Sequence, residues 1–379
     1  MSFVLTEEQE SIRNAARDLV AQNAPIASFR ALRDERDPSG FSRLFWKELA
    51  ALGFCGLTLP EAFGGIELGF AELGLVLEEC GRALSPTPFL STVVLCGGAL
   101  AMAGTEAQKR EHLPAIAAGE RILALALQEG PHHAPHRVAT RATNVGDGFR
   151  LDGAKVLVLD GHLADALVVE ARTSGAVDGR DGITLFLVHA NAPGLTIERT
   201  ALVDARNAAR VRLDGVRVDR SSILGALDRG ADVLDPLLDR AAIALSGEML
   251  GGTQEAFDRT IAYLKVRKQF GVPIGSFQAL KHRAAQMFCE VELSKSIVME
   301  ALRAIDQGRA DVAALASAAK ARLSDVFVHV TAEAIQLHGG VGVTDEVDIG
   351  LFYKRARACD VAFGNAAHHR DRFARLGGY

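Results

Sequence analysis

Paired cysteines are what this sequence most plainly lacks. The five present, Cys55, Cys80, Cys96, Cys289 and Cys359, are odd in number and scattered, and no two form a Cys-x-x-Cys pair. No disulfide framework follows, and a reducing cytoplasm is the expected location. An excess of basic charge is missing too. Lysines and arginines number 42 against 47 aspartates and glutamates, a formal net charge of −5, which leaves no basic stripe for nucleic acid. Nor is there an apolar run suited to a bilayer. The longest uncharged stretch, residues 83–105, contains three glycines and two prolines and reads as a buried helix with its entry loop, so no membrane partner is expected. The first ten residues are acidic and carry no leader pattern, so export is not expected. Internal repeats and low-complexity linkers are absent. With 49% hydrophobic and 23% charged residues the composition is globular, and 379 residues suggest two or three packed units.

What is present falls into three stretches. Residues 1–120 read as helical. Thr6 with Gln9, and Thr105 with Gln108, have the spacing of capping boxes, and Ile12, Ala16, Leu19 and Val20 recur at helical intervals. Further helices are expected near Phe41–Leu52, Ala71–Arg82 and Phe89–Ala103, with Pro114 interrupting or restarting the one that Thr105 opens. Residues 121–226 change period. Short β-rich runs, among them Lys155–Leu159, Ala166–Ala171 and Val211–Val218, alternate with glycine turns and predict an antiparallel sandwich or barrel. Residues 227–379 return to helix. Asp235–Pro236 resembles an N-cap with proline at the first helical position, and long helices over Phe277–Gln307 and Val312–His338 predict a four-helix bundle. The fold class is therefore α+β, multidomain.

Two segments have the composition of a ligand site. In Arg267-Lys-Gln-Phe-Gly271, followed by Phe277-Gln278, a long helix delivers a cation and an amide to a glycine turn that opens a new helix, an arrangement that suits a phosphate. The same residues also suit a plain helix–turn–helix corner with surface charge. In Gln336-Leu-His-Gly-Gly340, paired glycines let a ligand or a second backbone approach closely, or simply end a helix.

The order and wording of five segments resemble the acyl-CoA dehydrogenase family nearly end to end. They are Pro60-Glu-Ala-Phe-Gly-Gly65; Gly104-Thr-Glu-Ala-Gln-Lys109 with Leu113-Pro114 and Gly119-Glu120; Leu151-Asp-Gly-x-Lys155 with Ala164-Asp165; Arg267–Gly271; and Gln336–Gly340. The resemblance implies helical, β and helical domains, an FAD cofactor shared across a subunit contact, an acyl-CoA substrate, and an electron-transfer flavoprotein as partner. Arg267 and Gln269 would meet the pyrophosphate, Phe270 and Gln278 the adenosine end, and Gln336, Gly339 and Gly340 the other edge, with Arg267 and the glycines closing from opposite sides of the subunit contact. Gln128, with the backbone of Ala126 and Leu127, would serve the isoalloxazine, and Asn365 is counted with the cofactor residues. A homotetramer, or a heterotetramer with a homologous chain, follows.

The sequence departs from the family in two places. The family's T-E-P-x-x-G-S-D loop is here Leu127-Gln-Glu-Gly-Pro-His-His133, which keeps only Glu129. The carboxylate that takes the substrate's α-proton usually lies in an [YF]-E-G-T motif, but the run here is Val361-Ala-Phe-Gly-Asn365, and Phe363 cannot accept a proton. Asp239 and Glu248 on the preceding long helix are the alternative catalytic acids. Asp239, next to Arg240, also suits a surface pair, and Glu248, in an apolar run, also suits a buried salt bridge. The expected activity is acyl-CoA desaturation. The alternatives are a half-site subunit of a heteromeric dehydrogenase, or a flavin monooxygenase of the same fold. His132, His133 and His136 lack the companions of a metal site, and none is expected. His338 is expected to pack, and Lys354-Arg355-x-Arg357 to form a charged helix face.

Overall fold

The computed structural model describes residues 4–379. In chain order its elements are α1 (Glu7–Asn23), α2 (Ile26–Asp34), α3 (Arg43–Ala51), α4 (Phe70–Arg82), α5 (Gly98–Ala103) and α6 (Glu106–Ala117). Strands β1 (Leu123–Ala126), β2 (Arg141–Asn144), β3 (Gly148–Leu159), β4 (Ala166–Arg172), β5 (Ile183–His189), β6 (Leu195–Ala201), β7 (Asn207–Asp219) and β8 (Ile223–Leu224) follow. The chain ends with α7 (Gly230–Val266), the short β9 (Lys268–Gln269) and β10 (Val272–Pro273), and helices α8 (Gln278–Asp306), α9 (Val312–His338), α10 (Ile349–Val361) and α11 (Ala366–Leu376). The helical, β, helical order is the one expected. Among the described residues no helix is long and apolar enough to cross a membrane. The chain forms two compact units. One holds the residues up to Glu35 with Phe70–Ser85 and Ala242–Tyr379, and the other holds Arg36–Gly69 and Pro86–Ala241.

In the second unit, an eight-stranded sheet runs in the order β6-β7-β3-β2-β4-β5-β8, with β1 paired to β4. Most pairings are antiparallel. β1 lies parallel to β4, and β2 meets β4 in parallel only at Arg141 and Arg172. Alternation fixes the buried face: Phe149, Leu151, Val169, Phe186, Val211, Leu213 and Val216 form one apolar cluster. Both capping boxes form as the spacing predicts. At the turn before α4, Gly64 has φ +83°, and a Cβ on Gly65 would lie 1.9 Å from the Leu59 carbonyl oxygen, so the Gly-Gly pair is sterically required.

Three local expectations fail. Pro114 neither breaks nor restarts a helix but lies inside α6, in its last turn, where its missing N–H forfeits one ladder bond, to the Arg110 carbonyl, and the helix ends three residues on. Asp235 is not an N-cap, because α7 begins at Gly230 and carries Pro236 within it. The Asp235 carboxylate is instead taken by His136 Nε2 at 2.7 Å and Arg180 Nε at 2.9 Å. The apolar run Phe89–Gly97 winds as a π-helix rather than an α-helix, and only its continuation, α5, is regular. On this wider spiral the Ser91 hydroxyl donates to the buried Asp160 carboxylate at 2.7 Å, and that of Thr92 to the Leu123 carbonyl at 3.0 Å.

In the first unit, α9 packs on α8, α10 and α11, while α4 packs on α1 and α8. Arg30 and Arg33 of α2, with Arg259 of α7, converge on Asp345 and Asp348 at the start of α10. This network ties the N-terminal helices to the C-terminal bundle within the unit.

Candidate flavin site

Helix α7 ends where its last residue, Val266, meets Arg267, and the chain doubles back through the β9–β10 hairpin. Phe270 and Gly271 have φ of +53° and +79°, both positive as a two-residue hairpin turn requires. The Ile274 N–H donates to the Arg267 carbonyl at 2.8 Å and closes the hairpin. Phe270, 91% exposed, meets Phe277 edge to face at 6.0 Å. Arg267, Gln269 and Gln278 are exposed.

One turn before Arg267, Tyr263 stacks on His338 with ring centroids 4.3 Å apart, and its hydroxyl donates to the His338 carbonyl at 3.3 Å. His338 is the last residue of α9, so Gly339 and Gly340 follow immediately. The hairpin arginine and the paired glycines therefore lie at the same end of one bundle within the chain. His338 packs, as expected: it is buried, its Nδ1–H donates to the Ala334 carbonyl at 2.7 Å, and burial lowers the pKa of the ring and keeps it neutral.

The geometry suits a dinucleotide. Among the described residues no protein group pairs with the Arg267 guanidinium. Gly339 has φ +65°, and a Cβ added to it or to Gly340 would meet nothing within 4 Å. A free forked cation beside open, Cβ-less backbone can receive a pyrophosphate. Gln336 is exposed on the turn leading to these glycines.

In the β unit, the Gln128 side chain is folded into its own loop, where its amide donates to the carbonyls of Gly130 and His132. Glu129 accepts the N–H groups of Ala139 (2.7 Å) and Thr140 (3.0 Å) and pairs with Lys155 Nζ at 2.8 Å. Burial opposes its charge, but Lys155 and these hydrogen bonds hold its carboxyl below the ordinary range.

Residues 6–120 match the family description "Acyl-CoA dehydrogenase, N-terminal domain", and residues 228–377 match "Acyl-CoA dehydrogenase, C-terminal domain". A probable acyl-CoA dehydrogenase of Bacillus subtilis, YngJ, is 31% identical over 384 residues that cover 99% of each chain. This chain belongs to the acyl-CoA dehydrogenase family. Among solved structures it is similar to a variant of the Tcur3481–Tcur3483 steroid ACAD, with 34% identity, TM-score 0.88 and 98% of each chain covered. It is also similar to the ChsE4–ChsE5 complex of Mycobacterium tuberculosis, with 27% identity and TM-score 0.89 over 100% of this chain and 99% of that one. Acyl-CoA dehydrogenases are FAD-dependent oxidoreductases acting on CH–CH bonds, and FAD is the dinucleotide that Arg267 and the Gly339–Gly340 pair fit.

The two candidate acids stand nine residues apart on α7, two and a half turns, and so leave the helix on opposite faces. Asp239 is buried rather than on the helix surface. Glu248 is in the salt bridge that its apolar setting suggested: Arg355 Nη1 lies 3.2 Å away. Arg355 is correspondingly buried, with Phe29 stacked at 5.9 Å, so it is not part of a charged helix face.

The Val361–Asn365 loop keeps a built backbone. Phe363 has φ +55° and Gly364 φ +100°. His369 Nε2 lies 2.9 Å from the Phe363 carbonyl oxygen, and the buried Lys320 donates to the carbonyls of Gly364 (2.9 Å) and Asp360 (3.0 Å) and to Ser324 Oγ (2.9 Å). Burial pushes the Lys320 ammonium down to about 8. The Asn365 side chain caps α11 by accepting the His368 N–H at 3.0 Å. Sequence reading missed Lys320. The available signal was a lysine on the apolar stripe Ala316, Ala319 and Leu323 of α9. Among the described residues no group of three His, Cys, Asp or Glu could hold a metal, and His136 is occupied by Asp235.

Proposed function

We propose that the chain carries out α,β-desaturation of an acyl-CoA thioester in the cytoplasm and passes the electrons to an electron-transfer flavoprotein. The supporting observation is the unpaired Arg267 guanidinium at the same bundle end as the open Gly339–Gly340 backbone. FAD, when bound, supplies the acceptor for a hydride from the substrate's β-carbon. The chain's residues bind it: Arg267 and Gln269 at the pyrophosphate, Phe270 and Gln278 at the adenosine, and Gln336, Gly339 and Gly340 at the other edge. A carboxylate must take the α-proton. The two candidates are Asp239, buried on α7, and Glu248, which is paired with Arg355. Anaerobic addition of acyl-CoA to the purified chain is expected to bleach a yellow flavin band. Asp239→Asn should slow that bleaching by ~100-fold or more, the scale of general-base catalysis. A flavin-loaded chain that no acyl-CoA bleaches would sink the proposal.

A second reading is favoured by Phe363, which has no proton-accepting group yet sits in a loop that Lys320 and His369 hold in place. On this reading the chain is a half-site subunit in a heterotetramer, and a homologous chain brings the base. The Tcur3481–Tcur3483 and ChsE4–ChsE5 relatives are each named for two chains. Flavin that is retained only on co-expression with a homologous chain would select this reading over a homotetramer.

A further inference from the structure

One end of the β unit opens into a cleft of about 680 Å³, bounded by the β2–β3 turn, the β5–β6 turn, the end of β7 and one side of α6. All four lie in a single compact unit, and none carries a residue named above for the flavin. A volume of this order is that of a small-molecule site, and the mouth of a β-structure is a common place for one. Its apolar lining continues the core, since buried Phe149 and Val188 both border it.

The cleft is held in shape from α6. The Gln108 amide donates to the carbonyls of Ser221 and Ile223 at 2.9 and 3.0 Å, which fastens the helix to the segment after β7. His112, buried on the same helix, borders the cleft, and its Nδ1 accepts from Arg121 Nη1 at 3.0 Å. Burial lowers the pKa of the ring and keeps it neutral, so Nε2 carries the proton. Glu111 lies 3.7 Å from that nitrogen and 3.6 Å from Arg121 Nη1, so its charge is balanced.

Three other charges on the cleft are not balanced within the chain. Arg217 and Asp219 stand two residues apart on β7, so they leave the strand on the same face about 7 Å from each other. Asp147 adjoins Gly148, which is paired across the sheet with Asp219. All three border the cleft and are exposed, and among the described residues none has a side-chain partner. Directly opposite Arg217 is a second cation, Arg150 of β3, whose own partner is Asp152 at 2.9 Å. Like charges placed opposite each other cost stability, so no local gain accounts for Arg217.

Free charges of opposite sign beside an apolar wall match a ligand with a carboxylate at one end and an ammonium at the other. An extended chain of two residues spans about 7 Å, the same distance. Asn191, Ser221 and the His112 Nε2–H, all on the cleft, supply hydrogen bonds for a peptide group between the two ends. We propose that the cleft binds a zwitterionic dipeptide with apolar side chains, its carboxylate on Arg217 and its ammonium at Asp147 and Asp219. The proposal does not rest on the flavin reading.

The test is calorimetric titration of the full chain with leucyl-leucine, with hydrogen exchange to locate the contact. Binding with a Kd of ~0.1–1 mM is expected, with protection at residues 145–149, 187–193 and 217–222. Arg217→Gln and Asp219→Asn change exposed side chains and should leave the melting temperature unmoved, yet each should weaken the dipeptide by ~5–10-fold. The N-acetylated dipeptide amide, which lacks both charges, should bind far more weakly. No binding of leucyl-leucine at about 10 mM would overturn the proposal, as would protection confined to other residues. Affinity unchanged in both variants, or an uncharged dipeptide that binds as well as the free one, would overturn it too. Free leucine binding more tightly than leucyl-leucine would overturn the two-residue length.

Discussion

At the scale of single residues, the informative side chains are charges placed where apolar groups were expected. Lys320 holds three neutral acceptors inside the bundle, two of them the carbonyls that shape the loop around Phe363. Lys320→Met would leave those oxygens buried and unpaired, at about 1–3 kcal/mol for each group. Urea unfolding should show a loss of at least ~2 kcal/mol. Glu170 gives a pH signature. Its carboxyl titrates near 7 in the folded chain, above the ordinary 4.5, chiefly because burial disfavours the charge. The folded state then binds more protons than the unfolded state between those values, so this group's contribution to stability is present at low pH and lost as pH rises from about 4.5 through 7. Glu170→Gln should therefore gain on wild type by ~1 kcal/mol or more at pH 8 compared with pH 5. Equal differences at the two pH values would show that the carboxyl is ionised throughout.

Secondary elements carry the ligand geometry through their ends. α7 and α9 present their C-termini together because Tyr263 stacks on His338, and each terminus leads into residues of positive φ. Gly339→Ala separates the backbone's needs from the ligand's. The added Cβ meets no protein atom, so its cost to folding is the backbone strain of φ +65° with ψ −144°, a region kept essentially for glycine, about 1–3 kcal/mol. A modest fall in melting temperature is expected, with a loss of FAD affinity well beyond what that fall explains. Affinity unchanged in a stable Gly339→Ala protein would place the dinucleotide elsewhere.

For the whole molecule, exposed apolar surface is the main consideration. Val266, Phe270, Val272 and Phe277 around the hairpin, with Phe288 and Leu293 on α8, all stand in solvent within one unit. Large side chains concentrated this way mark surface that is covered in the working assembly. Light scattering should give a mass above that of the 40.3 kDa chain. Phe288→Asp should lower that mass and release flavin with it. A monodisperse monomer that retains FAD would contradict the subunit-shared cofactor.

The sequence by itself determined what depends on neighbours along the chain. Thr6 and Gln9, or Thr105 and Gln108, stand three residues apart, so their capping boxes were legible, as were the bounds of α9 and the change of period at the β region. The family's turns and glycine pairs were legible for the same reason, since each is a short run whose order survives. Tertiary structure decided the rest. Glu248 meets Arg355 across 107 residues, Tyr263 meets His338 across 75, and Lys155 reaches back to Leu127 through a bulge that no local pattern announces. Whether a buried charge is paired, and which backbone it holds, is set by groups that only folding brings within 3 or 4 Å.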